Sequence, residues 1–158
     1  MLCNNEKCKE IAIEMFKKAV KEIKSKMSPK LAESITFQLM NTLKPNGRGL
    51  TFGDTTISRD LKESRIRFNL DAVAAYVENE GCSSAWALVQ KTVRHESFHA
   101  FQWLWVGSKG GHKAIEKLME YNRVTPYKKN VMEIGAWDYE DPATAKMQNF
   151  NEAFAFLF

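Results

Sequence analysis

The chain has 158 residues, 44% hydrophobic and 27% charged, with a net charge of +4, the profile of one globular domain over 1–158 and not of a disordered or low-complexity chain. No run approaches the roughly 18 apolar residues of a membrane helix, and the opening MLCNNEKCKE lacks the apolar stretch of a secretory signal, so neither span nor leader is expected. Cys3, Cys8 and Cys82 are odd in number and scattered, which points away from a disulfide framework and toward a reducing, cytoplasmic setting.

From about Glu6 to Met27, apolar residues recur at Ala12, Phe16, Ala19, Val20, Ile23 and Met27, the spacing of a one-sided helix. Its lysines (Lys7, Lys9, Lys17, Lys18, Lys21, Lys24, Lys26) read as a solvated face. A nucleic-acid patch would be denser and mixed with arginine and aromatics. Ser28-Pro29 closes the helix or opens a short further turn. SITFQL at 34–39 alternates Ile35, Phe37 and Leu39 against Thr36 and Gln38, predicting a strand. The turn-rich LKPNGRGLTFGD then leaves room for a second short strand around Leu50 to Phe52. SRIRFNL at 64–70 alternates again, Ile66, Phe68 and Leu70 against Arg65, Arg67 and Asn69.

A helix capped by Ser83 or Ser84 follows, through AWALVQKTVRHESFHAFQWLWV to a stop at Gly107, Gly110 and Gly111. Trp86, Val89, Val93, Ala100 and Leu104 line one side, and Phe98, Phe101 and Trp105 widen the apolar surface, so this helix is expected to be buried. Further helices are expected at roughly 112–121, 129–140 and 142–158, the last two divided at Asp141-Pro142. Ala143, Met147, Phe150, Phe154 and Leu157 form a stripe on the final helix, and its apolar end is expected to pack inside the domain or against a second copy as a homodimer.

Within the buried helix stands RHESFHAFQW, 94–103. His95 and His99 lie one turn apart, so both imidazoles project from one side and can grip one ion. Zinc suits the pair, needing one more protein ligand and a water for a tetrahedral site. Glu96 projects about a hundred degrees from His95 on the helix, beside the metal-bound water without ligating, where it can take that water's proton and later protonate a leaving amine. Ionisable residues inside an apolar helix cost free energy unless paired or metal-bound, so the placement itself calls for a site.

HESFH in a helix that follows a strand such as RIRFNL resembles the zincin superfamily of zinc metallopeptidases. The likeness in element order runs over roughly 34–140, and only the motif is sharp. The resemblance implies an α+β fold, with a small mixed or antiparallel sheet on a buried active-site helix and further C-terminal helices. It implies His95 and His99 as ligands, Glu96 as general base, a peptide or protein substrate, and SRIRFNL as the substrate-binding edge strand. The longer HExxHxxGxxH form fails, because Gln102 and Trp105 occupy the glycine and histidine positions. Two third ligands stay open. Glu133, in YKKNVMEIGAWDYE, resembles the gluzincin E-x-x-A pattern with Ala136. His112, in WVGSKGGHK, resembles the SprT-like family, proteases acting on proteins bound to DNA, although their cysteine ribbon is missing after Cys82. With Glu133 as ligand, His112 stands instead as an oxyanion donor at the rim. Tyr127, Tyr121 and Tyr139 are further oxyanion candidates, Tyr127 foremost. Asp138 and Glu140 are candidates to orient a histidine. Beside the peptidase stands a non-catalytic alternative, a zincin-fold module that docks a peptide along its edge strand.

Overall fold

The computed structural model describes residues 5–41 and 51–158. Cys3 and residues 43–50 of the turn-rich connection lie outside them. Helix α1 (Asn5–Lys24) buries Cys8, Ala12, Phe16, Ala19 and Ile23. Spaced three and four residues apart, they form one stripe against the rest of the core. The Ser28 side chain then accepts the Leu31 N–H and, with Pro29 in the first position, starts the short α2 (Pro29–Glu33).

Strands β1 (Ile35–Met40), β2 (Gly53–Ile57) and β3 (Ser64–Asn69) form a mixed sheet in the order β1-β3-β2. β1 runs parallel to β3 and β2 antiparallel to it. The register sets Phe37 beside Ile66 and Ile66 beside Thr55, and Leu39 beside Phe68 and Phe68 beside Gly53. Because side chains alternate along a strand, these residues share one sheet face. That face meets the helices: the Phe16 ring stacks on Phe68 with centroids 4.7 Å apart. On the opposite face Arg67 Nε donates to Asp54 Oδ1 at 2.8 Å.

Two expectations about the sheet are corrected. The second strand begins just past Phe52, at Gly53. SRIRFNL is not an edge strand: β3 is central, its backbone groups taken up by β1 on one side and β2 on the other. The edge that faces the histidine helix is β2.

Helix α3 (Leu70–Glu80) has no counterpart in the sequence reading. Asn69 ends β3 and caps α3, its side chain accepting the Ala72 N–H at 3.1 Å. The long α4 (Cys82–Val124) starts at Gly81 without a side-chain cap, so neither Ser83 nor Ser84 fills that role. It also runs straight through Gly107 and Gly110 and breaks only at Gly111, where φ is 66°. A left-handed φ suits glycine and interrupts the helix. Gly107 serves packing instead, since a Cβ there would lie 3.2 Å from the Leu61 Cβ and 3.3 Å from the Ile57 Cδ1. The turn between β2 and β3 therefore lies directly on α4.

A 3-10 turn (Tyr127–Lys129) leads into α5 (Val131–Glu140), capped by the buried Asn130, which accepts the Met132 N–H at 2.9 Å. No single helix covers 142–158. Residues 142–149 are irregular, and helix returns only as α6 (Phe150–Ala153) and a 3-10 turn (Ala155–Leu157). Gln148 lies within this break. It turns inward to donate to the Val131 carbonyl at 2.8 Å, whereas a continuous helix would hold it off the apolar stripe. Phe154 and Leu157 are buried, while Ala143 and Met147 are exposed, so the expected helical dimer surface is not formed as one face. The fold is α+β, and among the described residues no helix is long and apolar enough to cross a membrane.

Candidate metal centre

The middle of α4 crosses the sheet edge and α5, and both neighbours send side chains to it. His95 and His99, one turn apart, place their Nε2 atoms 3.0 Å from each other with rings at 88°. Glu133, in the first turn of α5, brings Oε2 to 3.1 Å from His95 Nε2 and Oε1 to 3.1 Å from His99 Nε2. These three residues form a group whose ligand atoms lie within 4.8 Å of one another, an arrangement that can hold a metal ion. Ala136, buried with Val93 and Phe98, lets α5 approach α4, whereas Gly135 faces Gln148.

The other ring nitrogens bear on whether a cation could be held there. His95 Nδ1 faces the Glu140 carboxylate at 2.7 Å, and His99 Nδ1 faces Gln102 Oε1 at 2.8 Å. Both partner oxygens can accept a hydrogen bond, so these contacts fit rings that carry a proton on Nδ1. Each Nε2 then presents a lone pair, and the two lone pairs meet each other and a carboxylate. Glu133 Oε2 is buried and makes no aligned hydrogen bond. Three converging acceptors repel unless a proton or a metal ion lies between them. A small divalent ion with tetrahedral bonds of about 2 Å spaces its ligands about 3.3 Å apart, within a few tenths of an ångström of the separations seen here.

Without an ion, a proton would answer the same need. Burial works against a charged His95, but contact with Glu133 and Glu140, and the charge of Glu96, raise its pKa to about 10. Burial likewise pushes Glu133 up, and the two histidines outweigh it, holding this carboxyl well below the usual carboxylate range. Tyr127 is raised to about 12, first by burial and then by the negative charge of Glu133.

Glu96 lines the same cleft, about 790 Å³ in volume, with Thr55, Trp103 and Tyr127. Thr55 on β2 donates to Glu96 Oε2 at 2.5 Å, and its hydroxyl also lies 3.1 Å from the Glu96 carbonyl. Gly53 permits this approach, because a Cβ there would lie 3.1 Å from Glu96 Cγ. The carboxylate is thus tethered to the sheet edge, beside the His95–His99–Glu133 group and not part of it.

Of the remaining candidates, His112 is removed from the cluster: it is exposed and its Nε2 bonds the Arg59 carbonyl at 2.6 Å. It is neither third ligand nor rim donor, because it pins the β2–β3 turn to α4. Tyr121 accepts the Val131 N–H at 3.0 Å, and Tyr139 packs against Phe98, so both are structural. Asp138 is exposed, whereas Glu140 does orient a histidine. Sequence reasoning missed Thr55, Gln102 and Gln148. Gln102 stands three residues after His99, a spacing that puts the two side by side on a helix and could have flagged it. No local pattern marks Thr55 or Gln148. No family model, curated protein or solved structure matches the chain.

Proposed function

We propose that the protein is a zinc-dependent metallopeptidase of zincin-like, gluzincin type, cleaving peptide or protein substrates, with His95, His99 and Glu133 as ligands. One observation carries this reading: two imidazole lone pairs and a buried, unpartnered carboxylate oxygen converge at about 3 Å beside a carboxylate kept out of the cluster. A structural site has no use for that fourth group. Two histidines and a carboxylate leave one position open, the donor set of catalytic zinc. When bound, the ion would supply Lewis acidity and lower the pKa of a water.

The chain's own residues do the rest. Glu96 takes the proton of the attacking water and returns it to the leaving amine. Thr55 occupies Glu96 Oε2 and so leaves the other oxygen for the water. Tyr127, at the rim beside Glu133, is placed to donate to the oxygen that gains negative charge as the carbonyl is attacked. Along β2, the edge away from β3 pairs with no strand among the described residues, and Gly53, Asp54 and Thr55 line the cleft. An extended substrate pairing there would lie across Glu96. The SprT-like reading loses its ligand with the displacement of His112. A cytoplasmic setting, expected from the cysteines, stays part of the proposal.

Elemental analysis of gently purified protein should find about one zinc per chain. Mass spectrometry of a mixed peptide library should then show cleavage by the wild type and none by Glu96→Gln, which keeps its zinc. Absence of stoichiometric metal overturns the reading. Zinc without Glu96-dependent cleavage leaves the peptide-docking module in its place.

A further inference from the structure

We propose that Gln102 and Gln148 are positioning residues that fix the tautomer of His99, so that the docked C-terminal segment holds this imidazole ready for the ion. The metal part of this inference rests on the proposed zinc centre; the tautomer part does not.

The logic starts at two backbone carbonyls, which can only accept. Gln148 Nε2 lies 2.8 Å from the Val131 carbonyl, so its NH₂ group points there and its oxygen points the other way. That oxygen stands 3.0 Å from Gln102 Nε2, which also donates to the Met132 carbonyl at 3.1 Å. The amide of Gln102 is therefore fixed by two acceptors, and its own oxygen must face His99 Nδ1 at 2.8 Å. An acceptor at that distance requires Nδ1 to carry the proton, and Nε2 keeps its lone pair for the cluster. Each link dictates the next, from the backbone of α5 to the ring on α4.

Gln102 is fully buried and cannot recruit bulk water in place of these partners. Space for Gln148 comes from Gly135, where a Cβ would lie 2.6 Å from the Gln148 amide carbon. Beyond Gln148, Asn149 caps α6, and Phe154 and Leu157 are buried against α4 and α5. This C-terminal segment is thus anchored downstream of the residue that reaches inward. His95 is held differently, by the carboxyl group of Glu140. A neutral amide orients His99 without adding another negative charge.

The test uses full-length protein labelled with ¹⁵N-histidine, stripped of metal, at pH 8. Long-range proton–nitrogen correlation should show His99 as the Nδ1–H tautomer in the wild type. Gln102→Met, which roughly preserves volume and removes the amide, should populate the other tautomer. By chelator competition it should bind zinc about 10- to 100-fold more weakly, the usual cost of losing a histidine's outer partner. Gln148→Met should shift both readouts in the same direction and by less, because Gln102 keeps the Met132 carbonyl. If Gln102→Met does not fold by circular dichroism, the wild-type spectrum and Gln148→Met decide. An Nε2–H ring in the wild type, or folded variants with wild-type tautomer and affinity, overturns the proposal. A wild type that shows the Nδ1–H ring but binds no zinc refutes the peptidase reading and leaves the relay standing.

Discussion

Metal binding at this centre should tighten as pH rises, because the ion and a proton compete for the same space. With His95 raised to about 10 by its carboxylate neighbours, the metal-free site at pH 7 holds a proton about three pH units short of release. Expelling it costs about 4 kcal/mol at 1.36 kcal/mol per pH unit. That cost falls steadily toward pH 9, so zinc affinity should rise about tenfold per pH unit between pH 7 and 9. Competition with a chelator, corrected for the chelator's own protonation, measures the slope. Calorimetry in two buffers of different ionisation heat should find about one proton released per ion at pH 7.5. The same proton stabilises the metal-free fold, with a definite sign. A raised pKa stabilises fully below the ordinary histidine value of 6.5, and the benefit is lost as pH climbs through about 10. The lowered pKa of Glu133 contributes above the ordinary carboxylate value and is lost in acid. Thermal melting of the metal-free chain should therefore drop between pH 7 and pH 10.5. Equal zinc affinity at pH 7 and pH 9, with no proton released, would refute the reasoning.

Glu133→Ala should weaken zinc binding by about 100-fold or more through loss of a ligand, while His112→Ala should leave it unchanged and cost roughly 1 kcal/mol of stability through the lost bond to Arg59; retention assays and melts separate the two. At the sheet edge, Gly53→Ala places a methyl 3.1 Å from Glu96 Cγ and 3.2 Å from the Arg67 carbonyl. It should cost about 1–2 kcal/mol and slow peptide cleavage while zinc content holds. Thr55→Val, which removes the tether without adding bulk, should lower kcat more than it raises KM.

The pairing of His95 and His99 was legible because its geometry is local: two histidines one helical turn apart share a side whatever surrounds them. Glu133 could be read from a small residue three positions on, which marks close helix contact. The edge strand was not, because GDTTI carries no apolar alternation; its inward positions are Gly53 and Thr55, chosen for approach and hydrogen bonding. Helix α3 was hidden by Leu70, which extends the alternation of Ile66 and Phe68 yet opens the helix, with Asn69 serving both elements. The glycines of α4 misled because a helix ends where φ turns positive, and only Gly111 does so. The C-terminal stripe misled because its apolar residues are satisfied in pieces, Phe154 and Leu157 buried beyond an irregular stretch in which the half-buried Gln148 turns inward.

The buried apolar residues fall into separate groups, and α5 joins two of them within one turn: Met132 belongs with Val106 and Leu118, Ala136 with Val93 and Phe98. Glu133 lies between these two residues, and α4 crosses from one group to the other between Phe101 and Val106. The His95–His99–Glu133 group therefore lies beside a seam between two parts of the interior, and an ion bound as proposed would sit there. Peeling the last thirty or so residues away would remove Glu133, Glu140 and Gln148 together, so release of a bound ion and local opening of this end become one event. An occupied seam would make the two halves melt as one, and an empty one would let hydrogen exchange run ahead in the C-terminal half.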